Sequence, residues 1–250
     1  MSHQSVALHD IELHFDVRGD GEPLILLHGG GGVGSNWSVL FPEPPAGFRL
    51  VIPDLRGHGK STNPSGQFTF RQFALDVLAL LDHLEIERCK AIGVSLGAKT
   101  LLHVATQQPD RLDAMVLASA APYFPEQARA LMRDMRPDNR TDAEWKQMRS
   151  WHRDDDQIRA LWGMARAFAE DHDDHNFTPL QLSTITARTL IVHGDRDELY
   201  PVRLAVELYE SIQRASLWVV PNAGHGLIFG AMAAQFVATA LAFLSEDAIP

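Results

Sequence analysis

The chain has 250 residues, 45% of them apolar and 22% charged, with a formal net charge of −10. A sandwich or α/β fold of that length can be a single domain with one large core. The acidic balance argues against nucleic acid, which needs clustered Lys and Arg to neutralise phosphates, and no run approaches the ~18 apolar residues that span a bilayer. Neither nucleic acid nor membrane is therefore expected as a partner. Met1 to Asp10 lacks the basic stretch and apolar run of a secretory leader, so a cytoplasmic protein is expected. The single cysteine, Cys89, excludes an intrachain disulfide and reads as a small buried hydrophobe.

In chain order, Val6 to Val17 alternates apolar and polar residues and reads as an antiparallel hairpin strand. Short apolar runs follow at Leu24 to Leu27, Arg49 to Pro53, Cys89 to Val94, Met115 to Ala118, Thr189 to Val192 and Ser216 to Val220. Each is bounded by Gly, Pro or Asp, as expected of strands buried on both faces. Between them, Phe70, Phe73, Val77, Leu78, Leu81 and Leu84 repeat at three and four, which predicts a helix. Further helices are predicted over Leu96 to Gln108, stopped by Pro109, over Val202 to Ile212, and over Ala231 to Leu244. Strand alternating with helix predicts an α/β fold, a mostly parallel twisted sheet flanked by helices on both faces.

Pro122 to Thr186 breaks that rhythm. It holds no convincing strand and shows helical spacing at Ile158, Leu161, Trp162 and Ala165. It reads as a small helical lid over the C-terminal edge of the sheet, where ligands bind in open α/β folds. The expected organisation is a core over residues 1–121 and 187–250, with a lid over 122–186. Trp145, Trp151 and Trp162 line a pocket or form the lid's own core. Glu170 to His175 could be taken for a metal site, but a charge run is more often a solvated loop or helix end. No metal or cofactor is expected.

Gly93-Val94-Ser95-Leu96-Gly97 is a G-x-S-x-G pattern between an apolar strand and a helix. A serine on a sharp strand-to-helix turn needs small neighbours, and the turn pushes its hydroxyl out of the sheet. It also leaves the Leu96 N–H at a helix start, free to meet an oxyanion. A serine hydroxyl needs a base. His225 lies in a Gly-flanked loop between a strand and the last helix, whereas His9, His14, His83 and His103 fall on strand or helix patterns. The base in turn needs a carboxylate. Asp195 and Asp197, after the strand at Thr189 to Val192, are both candidates; with Asp197 the order is Ser, Asp, His. His28-Gly29-Gly30-Gly31-Gly32 is an early Gly-rich loop that can bring N–H groups close to an acyl oxygen. It lacks the Lys-Ser/Thr ending of a phosphate loop and the spaced glycines of a dinucleotide site.

Together with Asp54-Leu55-Arg56-Gly57-His58-Gly59-Lys60-Ser61, these motifs resemble the α/β-hydrolase fold superfamily, from about Leu24 to the end of the chain. The resemblance implies an acyl-enzyme mechanism with Ser95 as nucleophile, His225 as base and Asp197 as acid. It implies an oxyanion hole formed by the Gly30 and Leu96 N–H groups, and no chemical role for His58. A Ser nucleophile in place of Asp argues against the epoxide hydrolase and haloalkane dehalogenase branches. The Gly-rich loop with Asn36-Trp37 resembles that of the meta-cleavage-product carbon–carbon hydrolases. Those enzymes usually carry Asn before the nucleophile and Trp after the histidine, where this chain has Val94 and Gly226. Ala98 replaces the common second glycine after the serine. The expected activity is hydrolysis of a carboxylic ester of a small-molecule acyl substrate. Two alternatives are a carbon–carbon hydrolase or enol-lactonase of aromatic catabolism, and a ligand-binding receptor of this fold with little turnover.

Overall fold

A computed structural model describes residues 2–245. The chain opens on a hairpin, β1 (Ser2–Leu8) and β2 (Ile11–Arg18), followed by β3 (Glu22–Leu27) and β4 (Phe48–Pro53). Then come α1 (Phe70–His83), β5 (Cys89–Val94), α2 (Leu96–Gln107) and β6 (Leu112–Ala118). Four helices follow: α3 (Glu126–Arg133), α4 (Asp142–Trp151), α5 (Asp155–Glu170) and the short α6 (Pro179–Leu182). The chain returns to the sheet with β7 (Arg188–Gly194), α7 (Val202–Ser211), β8 (Ala215–Val220) and α8 (Ala233–Ser245). The strands form one eight-stranded sheet in the order β1-β2-β4-β3-β5-β6-β7-β8. β2 pairs antiparallel with β1 and β4, and all other neighbours are parallel.

The alternating segment at Val6 to Val17 is thus two strands rather than one. It breaks at His9 and Asp10, where His9 takes a positive φ of 52°. Inside the sheet, the apolar runs are continuous because alternate residues serve opposite faces. Ile25 and Leu27 join one apolar cluster, with α1, α2 and α7. Leu24 and Leu26 join the other, with Trp37, Phe41 and α8. The predicted run Cys89 to Val94 matches β5 in full, whereas others fall short of their strands where polar residues such as Glu22, Asp113 and Arg188 lie at the entry. Cys89 is fully buried, and burial pushes its thiol up to about 12.

Between β6 and β7 the sheet receives no strand among the described residues; an isolated bridge joins Tyr123 to Asn176. Met132, Met148, Trp162 and Phe168 of α3, α4 and α5 belong to the same apolar cluster as α1 and α2. Arg129 of α3 is buried and donates to the carbonyls of Phe124, Ala169 and Asp171. Its charge thereby meets the unpaired carbonyls at the end of α5. The run Glu170 to His175 departs from a solvated charge run: Asp174 and His175 are buried. The Asp174 carboxylate accepts the Phe70 and Arg71 N–H groups. These are free donors at the start of α1, where an anion is favoured. The expected core span 187–250 includes residues 246–250, which lie outside the described residues.

β3 is flanked by β4 on one side and β5 on the other, so the loops leaving β3 and β5 open a crevice at the C-terminal edge. Behind it, Arg56 is 1% exposed and anchors the β4–α1 connection. It donates to both carboxylate oxygens of Asp76, at 2.8 and 2.9 Å, and to both of Asp10, at 3.1 and 2.7 Å. Removing one partner of a buried pair strands the other charge. Arg56→Ala is expected to lower stability by about 3–5 kcal/mol, a Tm fall of roughly 10 °C for a chain this long. Thermal denaturation measures it, and an unchanged Tm would contradict the anchoring role.

Candidate active site

Ser95 follows the last residue of β5 and stands at the N-cap of α2 with φ 51° and ψ −106°. Few residues with a Cβ adopt such a state. It is forced by the closeness of the turn. A Cβ on Gly93 would lie 2.6 Å from the Ala98 nitrogen, and one on Gly97 would overlap the Leu27 carbonyl. The Ser95 N–H donates to the Ala118 carbonyl at 2.9 Å, and the Gly97 N–H to the His28 carbonyl at 3.0 Å. The serine is thereby held between β3 and β6 with its hydroxyl aimed away from the sheet.

His225 arrives on the loop after β8. Its Nε2 accepts the Ser95 hydroxyl at 2.8 Å, and its Nδ1–H donates to Asp197 Oδ2 at 2.8 Å. The Ser119 hydroxyl donates to the His225 carbonyl at 2.7 Å and fixes the loop. Asp197 follows β7. Its other oxygen accepts the Leu199 and Tyr200 N–H groups at 2.8 and 3.0 Å. Burial raises its pKa, but the His225 hydrogen bond and charge and these two N–H groups outweigh it and hold the carboxyl below its ordinary value. Asp195 is exposed on the other side of the turn and reaches neither His225 nor Ser95.

The Gly-rich loop lies against this row. Gly29 is close enough that an added Cβ would sit 3.7 Å from Ser95 Cβ. Gly31 takes a φ of 72°, which favours glycine there. Gly30 and Leu96 both line the cavity, and no hydrogen bond within the described residues occupies either N–H. His28 is buried, and burial pushes it down to about 4, so it is neutral and accepts the Leu55 N–H at Nε2.

The cavity holds about 450 Å³. Trp151 and Trp162 line it, while Trp145 packs edge-on against Trp162 at 4.5 Å and stands outside the lining. Met132, Met148 and Met164 supply much of the remaining wall. Asn36 and Trp37 also face it.

Residues 22–144 match a family model described as alpha/beta hydrolase fold. The chain has the α/β-hydrolase fold. It is 28% identical over 236 residues to the 2-hydroxymuconate semialdehyde hydrolase of Pseudomonas sp. (strain CF600), covering 83% of this chain and 81% of that one. It is 28% identical over 250 residues to the 2-hydroxy-6-oxo-6-phenylhexa-2,4-dienoate hydrolase of Comamonas testosteroni, covering 87% and 86%. The solved enol-lactonase from Burkholderia xenovorans LB400 shares the fold, with a TM-score of 0.78, 23% identity and coverage of 97% and 100%.

Three further side chains of this α/β-hydrolase-fold chain reach the site without having stood out in the sequence. Lys99 and Tyr200 line the cavity and hydrogen-bond each other at 2.8 Å. His152, just past α4, accepts the Gly59 N–H at Nδ1 and donates from Nε2 to the Gly31 carbonyl, each at 3.0 Å. Lys99 carried a readable signal: it is the one charged residue in LGAKTLLHVA, four residues from Ser95 and so on the same helix face. Tyr200 and His152 carried none, since long-range folding places them.

Asp197→Asn is expected to cost this hydrolase site roughly 10³–10⁴-fold in kcat, because the amide cannot hold the working tautomer of His225. Asp195→Asn should change activity no more than about twofold, as for an exposed position. Parallel kinetics on the two variants check the assignment, and the reverse ranking would move the acid to Asp195.

Proposed function

We propose that this chain is a serine hydrolase that cleaves a carboxylic ester of a small molecule through an acyl-enzyme on Ser95. The observation that carries the reading is the continuous hydrogen-bonded row Ser95–His225–Asp197, with 2.8 Å at both contacts. In this reading Nε2 of His225 takes the hydroxyl proton as the Ser95 oxygen attacks the acyl carbon. Asp197 steadies the imidazolium that results. The Gly30 and Leu96 N–H groups hold the developing oxyanion, where a preorganised donor is worth most. His225 then passes its proton to the leaving alcohol. In the second half, water gives a proton to His225 and attacks the acyl carbon, and His225 returns that proton to the Ser95 oxygen as the Ser95–acyl bond breaks to release the acid.

The wall of methionines, tryptophans and phenylalanines supports a substrate with a substantial apolar surface. A second reading, cleavage of a carbon–carbon bond or an enol-lactone in the breakdown of aromatic ring-fission products, is supported at least as well by the names of the similar proteins. The same Ser95 row and oxyanion donors serve it. What favours the ester is the neighbourhood of the row. Val94 offers no polar group to the cavity, and Gly226 has no side chain and open space where a Cβ would stand.

The test is hydrolysis of p-nitrophenyl acetate, butyrate and octanoate and of a ring-fission dienone, by the natural chain and by Ser95→Ala. Ester turnover that falls at least ~10³-fold in the variant is expected. Retained turnover would overturn the role of Ser95. A kcat/KM for the dienone that exceeds every ester by more than about tenfold, some 1.4 kcal/mol of transition-state preference, would transfer the assignment to the second reading.

A further inference from the structure

Lys99 is the anomaly of this cavity. It lies four residues past Ser95 on α2, about one helical turn or ~6 Å along the axis. Long side chains on a helix lean toward its N-terminus, which here is the end that carries Ser95. The residue is 3% exposed yet lines the cavity. Its ammonium stands over three rings, at 5.7 Å from Phe70, 5.1 Å from Phe124 and 4.8 Å from Tyr200. One of its three donors meets the Tyr200 hydroxyl oxygen. Among the described residues no carboxylate lies within ion-pair distance, and none accepts the other two donors. Asp197 is the acidic group whose field reaches it. That carboxylate is already engaged by His225, Leu199 and Tyr200.

A buried ammonium with one hydrogen bond is costly, and a methionine, of which this wall has several, would fill the space without that cost. The arrangement makes sense when a ligand completes it. We propose that Lys99 and Tyr200 form an anion subsite, so that the substrate carries a carboxylate about one helical turn from the bond cleaved at Ser95. The two free Lys99 donors and the Tyr200 O–H, whose oxygen already accepts from Lys99, point to a carboxylate rather than to a neutral group. Charge-assisted hydrogen bonds of this kind, in a cavity walled by apolar side chains, are strong. The substrate class is then a monoester of a short dicarboxylic acid, or a lactone or dienone that bears a carboxylate. This deepens the hydrolase reading above and rests on it.

The subsite also responds to pH. Burial pushes Lys99 down to about 7, with the Asp197 charge acting the other way. Facing it are Tyr200 and Asp197 from the loop after β7, and His175 and Arg129 from the segment between β6 and β7, the latter across the Phe124 ring. Below about 7 the ammonium is present and the subsite is cationic; above it the amine is neutral and the anion loses its partner.

The experiment compares mono-p-nitrophenyl glutarate with p-nitrophenyl butyrate. The ratio of their kcat/KM values isolates recognition of the carboxylate. Lys99→Met is expected to lower that ratio about 30-fold, the usual scale for a lost hydrogen bond to a charge. In the natural chain the same ratio should fall as pH rises from 6 to 9, although the ester's carboxylate stays ionised throughout. A turnover-free readout accompanies both: calorimetric titration of glutarate into Ser95→Ala and into Ser95→Ala with Lys99→Met, with at least tenfold weaker binding expected in the double variant. A ratio insensitive to both Lys99 and pH, or glutarate binding that is equal or absent in the two proteins, would overturn the subsite. Lys99-dependent glutarate binding without turnover of either ester would uphold the anion subsite and overturn the ester reading instead.

Discussion

Ser95 is held at a positive φ, and the geometry of the site follows from that one constraint. A backbone state of this kind costs about 1–3 kcal/mol and persists only where its surroundings over-determine it. Here they do. The Ser95 N–H is fixed to Ala118 of β6, the Gly97 N–H to His28 beyond β3, and the glycines at 93 and 97 let three strands and a helix meet with no intervening side chain. Because the helix starts immediately after the serine, the Leu96 N–H meets no carbonyl among the described residues. Backbone strain, the outward serine hydroxyl and the unengaged Leu96 N–H are therefore one structural event.

The remaining members of the site are brought to that point by the sheet. β3 and β5 are parallel neighbours, so the Gly-rich loop and the serine turn leave the same edge side by side. β6, β7 and β8 extend the edge, and Ser119, Asp197 and His225 occupy the loops that leave them. Three strand ends thus deliver a fixing hydroxyl, a carboxylate and an imidazole without any long-range flexibility. A carboxylate that accepts two backbone N–H groups and an imidazole N–H stays ionised, which keeps Nε2 of His225 available to the serine.

What the sequence makes legible is what local rules control. The Gly-x-Ser-x-Gly turn, the apolar strand runs and the order of the three polar residues each follow from short-range chemistry, and the structure brings Ser95, Asp197 and His225 together. The choice between Asp195 and Asp197 was open to spacing alone, because both lie two residues apart on one turn; the turn exposes one and buries the other. The hairpin break left a trace in the sequence: His9 and Asp10 are two polar residues in succession, and the apolar positions shift from Val6 and Leu8 to Ile11, Leu13 and Phe15. Asp174 and His175 looked solvated because their partners, the first N–H groups of α1 and the Ala121 carbonyl, lie more than 50 residues away in sequence. The same distance concealed the Lys99–Tyr200 contact.

The helical segment over the crevice is not an independent cover. His152 ties it to the loop that carries Gly30 and Gly31, and Gln157 of α5 donates to the carbonyls of Gly57 and Gly59. The His152 latch requires a neutral imidazole, since one nitrogen accepts and the other donates. Burial lowers its pKa, with the Gly31 and Asp54 interactions acting the other way, so the neutral form is the one the fold selects. Met148 and Trp151, on the turns just before His152, are therefore fixed relative to the glycine loop they face. The methionine wall and the Gly30–Gly31 backbone are thus held in one frame by His152, while Gln157 fastens the same helical segment to the loop at Gly57 to Gly59.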